Sequence, residues 1–444
     1  MKYDVIVIGS GPGGYTAAIR AAQLGKKVAL IEKGDIGGTC LNHGCIPTKA
    51  LHASTKLFSK IKRADQFGIS AADPTIDLSK VIDRKDRIVN QLRKGLEYLF
   101  KENKIDLVRG EATLKSPEQV LVNGLAIEAP RMILATGSSI PRNPPFKIDE
   151  KKVFSSNGIL NLRSVPNSMA IIGAGAIGVE MACIFNALGS KVSLFEMMPN
   201  ILPSEDIEIA KALEQYLVKK GVEIKTNTKI DNINSYEIVL VSIGRKLNTD
   251  GFENIGIKLD GGKVRVNDKM QTNIPNVYAV GDIAGKYMFA HTASREGIVA
   301  AENASGLPAG KAGKSSKMDH HAVPRCTYSE PAVASVGMTE EEARAVSKNI
   351  KIGKFPFSAS SKSLIEDERE GFIKVITDDS SRILGIHILG GNATEIIGEA
   401  ALAVNKGMKV EDIISTIHAH PTVYESMGEA AENVLKQAIS IINR

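Results

Sequence analysis

Cys40 and Cys45 lie in the run Gly37-Gly38-Thr39-Cys40-Leu41-Asn42-His43-Gly44-Cys45-Ile46-Pro47-Thr48-Lys49. Two thiols this close can hold a metal or cycle between dithiol and disulfide. Tetrahedral zinc takes four ligands and usually draws cysteines at tighter spacing, so even with His43 and His52 to complete a set the pattern favours redox chemistry and no metal. Pro47 can open a helix as its first residue, which would put Cys45 at a helix N-terminus, where partial positive charge favours a thiolate. Only four cysteines in 444 residues exclude a disulfide-stapled scaffold, and in a reducing cytoplasmic compartment a close pair reads as redox-active. Cys183, in an apolar helical pattern, and the isolated Cys326 read as packing residues. A second cluster, Ile417-His418-Ala419-His420-Pro421-Thr422-Val423-Tyr424-Glu425, sets a carboxylate five residues beyond a histidine. His420 could take a proton from a substrate thiol while Glu425 orients its ring; His418 is the rival but lacks the Pro-Thr turn directly after it.

The elements that must position these groups are visible in an internal duplication. At a constant offset of 164 residues, Gly9, Gly11 and Gly14 align with Gly173, Gly175 and Gly178, and Leu24, Gly25, Lys27, Val28, Leu30 and Glu32 meet Leu188, Gly189, Lys191, Val192, Leu194 and Glu196. Each copy reads as strand, glycine-rich turn, alanine-rich helix and second strand ending in Glu. The first Gly makes the turn, the second lets backbone approach a pyrophosphate, the third packs helix on strand, and the Glu accepts from a ribose diol. Glu196 would repel a 2′-phosphate and Met197 to Ser204 holds no Lys or Arg, so the second copy is expected to take NAD over NADP. The first copy is followed by the thiols, which makes its ligand a flavin. Met132-Ile-Leu-Ala-Thr-Gly137 and Val277-Tyr-Ala-Val-Gly-Asp282 add two short strands, and Asp282 can accept from a polyol chain.

The length implies two to four domains of about 100 to 200 residues. Hydrophobic content of 43% and charged content of 24% are those of a globular enzyme. The net charge of +6 contains no run of five like charges, so nucleic acid is not expected as a partner. The apolar start is ended by Gly9 too soon for a signal segment, and no later run approaches a membrane span, which predicts a cytoplasmic protein.

Together these motifs resemble the pyridine nucleotide-disulfide oxidoreductase family over essentially the whole chain. The resemblance implies two Rossmann-like dinucleotide-binding domains of α/β class plus a C-terminal α+β interface domain. It places FAD on residues 1-150 and 246-318, NAD on 151-245, and dimerisation on 319-444, with Lys311 to Lys317 as a polar connection. By similarity Cys45 would face the flavin as the charge-transfer thiolate and Cys40 would exchange with substrate. Lys49 would lie near the flavin, paired with Glu180, and His420 with Glu425 would act across the boundary of a homodimer. Further FAD contacts are implied at Glu32, Lys33, Gly38, Thr39, Ala112, Thr136, Gly137, Asp282 and Ala290, and NAD contacts at Glu196, Ile230 and Gly244. Glutathione and trypanothione reductases typically use NADP and carry Val-Pro-Lys-Lys where this chain has Ile46-Pro47-Thr48-Lys49. Mercuric reductases carry a C-terminal cysteine pair, whereas no cysteine follows Cys326, and a soluble transhydrogenase would lack Cys40. The activity that the resemblance implies is reoxidation of dihydrolipoamide with NAD reduction. The group would arrive on the lipoyl domain of a 2-oxo acid dehydrogenase complex or glycine cleavage system, since no lipoyl-type domain precedes Met1.

Three departures from the family pattern stand out. Gly221 to Gly244 is short, as if strands of the NAD domain were trimmed; His43 stands where Val is usual; and Leu247 replaces a proline. The trimming motivates an alternative, a non-catalytic flavoprotein binding subunit, against which the complete Cys40, Cys45, His420 and Glu425 set argues. Another disulfide reductase using NADH or NADPH is the second alternative.

Overall fold

The computed structural model describes residues 1–141, 144–306 and 316–443. Its contacts divide the chain into two units. One comprises residues 1–51, 79–145 and 244–319, the other 52–78, 146–243 and 320–444. Of the expected connection at 311–317, residues 311–315 lie outside the described residues.

The first unit is built on a five-stranded parallel sheet in the order Val277–Ala279, Met132–Leu134, Val5–Ile8, Val28–Glu32, Asp106–Arg109. Runs such as Val5-Ile-Val-Ile are apolar on both faces because the sheet is covered on both sides. Helix Pro12–Gln23 packs Ala17, Ala18 and Ala21 into that core, and these small side chains admit close contact with helix Ala290–Ala304. An antiparallel meander, Ala112–Ser116, Gln119–Val122 and Leu125–Glu128, seals Val120, Val122 and Ile127 against the other face.

The second unit repeats the parallel plan in the order Glu223–Lys225, Lys191–Phe195, Ser168–Ile172, Ile238–Val241, Val153–Ser155. The duplication extends to register: Val5 pairs with Val28 and Met169 with Val192, Ile8 with Ile31 and Ile172 with Phe195. The shortened stretch forms no strand between Lys225 and Ile238, and Ile230, Ile233 and Tyr236 instead pack on the cluster of Phe195, Val239 and Val241. Tyr236 meets Phe195 edge-on, with centroids 6.1 Å apart. The same unit holds a five-stranded antiparallel sheet, Arg325–Thr327, Ala332–Gly337, Ile383–Gly390, Phe372–Thr377 and Lys351–Pro356, covered by helices Ala393–Lys406 and Glu425–Val434.

Lys374 is fully buried on this sheet, and its ammonium bonds both Asp206 oxygens at 2.9 and 3.0 Å and reaches Glu340 at 2.7 Å. Asp206 also caps helix Ile207–Lys219 by accepting from the Glu208 N–H. Burial pulls the Asp206 carboxyl upward, but Lys374 and the Glu340 N–H hold it below the usual carboxylate range. Its stabilisation is therefore present above about pH 4, the ordinary value for Asp, and is lost as pH falls through the depressed native value. Removing one partner of a buried pair leaves a charge uncompensated. Lys374→Met is expected to destabilise the protein by about 3–5 kcal/mol, read from the denaturant midpoint and slope. A change under about 1 kcal/mol would show that Asp206 finds water or protonates at little cost.

Among the described residues no helix is long and apolar enough to cross a membrane.

Candidate active site

The two glycine turns form matched cradles. Gly9 and Gly173 adopt φ of 97° and 100°, which only glycine takes readily, and each donates its N–H to the neighbouring strand, to Ile31 O and Phe195 O, at 2.8 Å. A Cβ on Gly14 or Gly178 would lie 1.8 or 1.9 Å from the carbonyl oxygen of Gly9 or Gly173, so neither helix could approach its strand with any other residue there. Gly11 and Gly175 cap the two helices in extended conformation, and a Cβ on either would meet nothing closer than 3.9 Å. That leaves open space over a helix N-terminus, where a pyrophosphate would be held. The acids repeat as well. Glu32 accepts from Ser10 N and Gly34 N at 2.8 Å, and Glu196 accepts from Ala174 N at 2.8 Å and Met198 N at 2.9 Å. Ser10 corresponds to Ala174 and Gly34 to Met198 at the same offset of 164. Each carboxylate is thus fixed at its strand end with lone pairs left for a ribose diol, and both cradles fit a dinucleotide.

The cysteine loop rests on the first cradle. A Cβ on Gly38 would stand 2.6 Å from Gly11 Cα, so two glycines are needed where this loop crosses the turn. Cys40 lies in the short helix Gly38–His43, and Asn42 pins that turn through its Nδ2 bonds to Ile36 O and Gly38 O at 2.9 Å. Cys45 is the first residue of helix Cys45–Ile61. Pro47 is therefore its third residue and not its first, a correction to the sequence expectation that leaves Cys45 at the N-terminus. Proline is tolerated there because first-turn N–H groups have no helical partner. Neither thiol is in a disulfide, and both are half-buried. Their mutual hydrogen bond, then burial, push the Cys40 thiol up, against the pull of Lys49. Cys40 is thereby held toward its protonated form, while Cys45 stands at a helix N-terminus, a position that favours an anion. Burial holds His43 below its usual range, Asp35 opposing and Arg93 and Lys85 adding to it. It is uncharged at neutral pH, so its replacement of the usual Val adds no cation beside the thiols.

Asp282 lies in the turn Gly281–Ala284 and accepts from Ser138 Oγ. Arg245 donates to Ser138 Oγ at 2.6 Å and Ser138 O at 2.8 Å. Thr136 and Asn248 exchange bonds, Thr136 Oγ1 to Asn248 O at 2.7 Å and Asn248 Nδ2 to Thr136 O at 2.9 Å, beside Gly137. Leu247 pairs with Ser138 in a two-residue antiparallel bridge. Ala112 and Ala290 begin a strand and a helix, while Lys33 forms an exposed pair with Glu111 at 2.8 Å. Gly244 is exposed with φ of 58°, and Ile230 is buried in the apolar cluster under the second sheet. Sequence reasoning passed over Ser138, Arg245 and Asn248, because nothing local in their neighbourhoods marks them.

In the second unit, His420 Nδ1 and Glu425 Oε1 are 2.8 Å apart, and Glu425 Oε2 accepts from Thr422 N at 2.8 Å. Burial alone would raise Glu425, but the Thr422 N–H and His420 hold it below its usual range, so it stays ionised. The His420 side chain is 71% exposed. His418 is turned inward, at 2.9 Å from Glu399, a carboxylate on helix Ala393–Lys406 that sequence spacing gave no means to find. Glu180, on helix Ala176–Leu188, accepts from the Tyr328 N–H at 2.9 Å. Burial pushes the Cys183 thiol up to about 12, the behaviour of a packing residue. Cys326 likewise packs against the antiparallel-sheet core.

Comparison with known proteins matches this arrangement. Residues 3–297 fit the model of pyridine nucleotide-disulphide oxidoreductases and residues 323–431 that family's dimerisation domain. The chain is 43% identical to the dihydrolipoyl dehydrogenase of Thermus scotoductus, covering all of this chain and 99% of that one. It is 40% identical to a dihydrolipoyl dehydrogenase of Bacillus subtilis over 97% of each. The first alignment spans 467 positions against 444 residues here, so the relative carries segments this chain lacks. Among solved structures, the HOCl-induced flavoprotein disulfide reductase RclA from Escherichia coli superposes with a TM-score of 0.86 at 28% identity, covering 97% of this chain and 99% of that one. With its paired cradles, its thiols at a helix N-terminus and its dimerisation sheet, the chain belongs to the pyridine nucleotide-disulphide oxidoreductase family.

Proposed function

We propose that the protein is a dihydrolipoyl dehydrogenase, oxidising protein-bound dihydrolipoamide and reducing NAD+ to NADH. The observation that carries this reading is the thiol pair at the start of helix Cys45–Ile61, laid against the first dinucleotide cradle, in a chain full-length similar to enzymes of that name. FAD occupies the first cradle, held by Gly9, Gly11, Gly14, Glu32, Gly38, Thr39 and Asp282, and NAD the second, held by Gly173, Gly175, Gly178 and Glu196. Residues 1-150 with 246-318 serve FAD, 151-245 serve NAD and 319-444 form the subunit interface. Ile417, Ile439 and Ile442, 97, 84 and 79% exposed in the last of these, support a homodimer.

In the oxidised enzyme Cys40 and Cys45 share a disulfide. One substrate thiolate attacks Cys40 Sγ, and Cys45 leaves as the thiolate. The second substrate sulfur then displaces Cys40, and the cyclic disulfide of lipoamide departs. His420, contributed by the partner and oriented by Glu425, takes the proton from the first attacking thiol, and the proton of the second thiol passes to Cys40 as that sulfur leaves. Bound flavin supplies the two-electron path from the dithiol to NAD+. Lys49, on the helix that Cys45 opens, would set a positive charge beside it. The lipoyl group comes from another protein, the swinging domain of a 2-oxo acid dehydrogenase complex or of glycine cleavage, in the cytoplasm. NADH formation from dihydrolipoamide, free and on isolated lipoyl domains, tests the assignment; flavin-replete protein that reduces NAD+ with another dithiol but with neither of these would overturn it in favour of a different disulfide reductase, and flavin-replete protein inactive with every dithiol would overturn it in favour of a binding subunit.

Cofactor choice follows from Glu196. A carboxylate there accepts from the NAD ribose but meets the 2′-phosphate of NADP with like charge, and the nearest following side chains are the exposed Met197 and Met198. NAD is expected to be favoured by at least about two orders of magnitude in kcat/KM. Glu196→Ala should narrow that gap mainly by weakening NAD. Comparable wild-type efficiencies with the two cofactors would refute the role of Glu196.

A further inference from the structure

Three segments of the first unit converge on one side chain. Arg245 donates through Nε to Ser138 Oγ at 2.6 Å, and through Nη2 to Ser138 O at 2.8 Å and Thr39 Oγ1 at 3.4 Å. Ser138, itself buried, passes the connection on by donating to Asp282. Thr39 is bonded to Cys40 in the chain, and the Arg245 guanidinium lies close enough to interact electrostatically with both Asp282 and Cys45. The planar fork of an arginine can hold several acceptors in one fixed geometry, which a lysine cannot.

We propose that Arg245 is a positioning residue of the redox centre, a fixed cation that ties the cysteine loop to Asp282 through Ser138 and favours negative charge on Cys45 in the reduced enzyme. The inference rests on the proposed role of Cys45. Besides Arg245, the charged and titratable groups facing the thiols include Lys49, which acts on Cys40, and Tyr15, whose hydroxyl burial and the two sulfurs keep protonated. Tyr15 is neutral at working pH, so Lys49 and Arg245 supply the positive field. They do so from distant parts of the sequence: Lys49 from the second turn of the helix that Cys45 opens, Arg245 from the residue just before the bridge strand Lys246–Leu247. Arg245 is also joined, through Ser138, to the turn that would hold the flavin, so one group sets both the position of the loop and the charge on its sulfur.

The test is a pH titration of the two-electron-reduced holoenzyme, following the long-wavelength charge-transfer absorption in wild type, Arg245→Gln, Arg245→Lys and, as reference, Cys45→Ser. Glutamine keeps a donor toward Ser138 but removes the charge, and the midpoint of the band should rise by about one unit, a tenfold loss of thiolate at a given pH. Lysine keeps the charge, and its midpoint should lie nearer to wild type than to the glutamine variant. An unmoved midpoint in Arg245→Gln, or equal displacement in both variants, overturns the proposal. If the glutamine variant does not retain flavin, the pH dependence of Cys45 alkylation by iodoacetamide, read by peptide mass, replaces the band; the same rise supports the proposal and an unchanged midpoint overturns it. A band that persists in Cys45→Ser overturns the reading of Cys45 itself, and this inference with it, and is a separate result from a normal reference with no shift at Arg245.

Discussion

Cys45→Ser is expected to abolish dihydrolipoamide-dependent NAD reduction, by on the order of 10⁴-fold or more, and to remove the charge-transfer absorption of the reduced enzyme. The expectation rests on which thiol carries the charge. The Cys40 thiol is pushed up by its hydrogen bond with Cys45 and by burial, whereas Cys45 begins a helix whose N-terminal dipole favours an anion. Serine at 45 keeps a polar group of similar size but has no accessible anion and no sulfur to form the disulfide. Cys40→Ser is expected to behave differently: with no partner to oxidise against, Cys45 stays a thiolate and the band appears without any reductant, although turnover is equally lost. A full band in Cys45→Ser, or its absence in flavin-replete Cys40→Ser, would reverse the assignment of the two sulfurs.

His420→Gln is expected to lower dihydrolipoamide turnover by about 10² to 10⁴, the range for removal of a general base, while flavin remains bound. The histidine is built for the task by its surroundings. Its Nδ1 is held by an ionised Glu425 at 2.8 Å, which fixes the ring and stabilises it when protonated, and its other face is open. His418→Gln should cost far less, because His418 is already turned inward toward Glu399 and has little surface to offer a substrate. Steady-state rates with saturating NAD separate the two. Equal losses in both variants would mean that the loop as a whole, and not the His420 ring, carries the effect.

Much of this was legible in the chain itself because it depends on local stereochemistry. The glycines at 9, 14, 173 and 178 occupy positions where a left-handed backbone or a close helix approach excludes any side chain, so their spacing encodes two strand-turn-helix units directly. The matching Glu32 and Glu196 followed from the same offset, and Cys40, Cys45, His420 and Glu425 stood out as candidates by type and spacing. The helix start at Cys45 was misjudged by two residues because proline is compatible with any position of a first turn, so Pro47 by itself could not choose among them. The charge of His43 also lay beyond the sequence, since it depends on burial and on Arg93 and Lys85, which come from a distant helix. Likewise Arg245 meets Ser138, Thr39 and Asp282 across separations of 37 residues or more, and Glu399 meets His418 from another element. Residue type and near spacing set the cradles, the thiols and the base, because those are short-range constraints on the backbone. Which cation faces which sulfur, and which histidine is left free to react, was decided by tertiary packing, because burial and charge proximity exist only once distant segments are brought together.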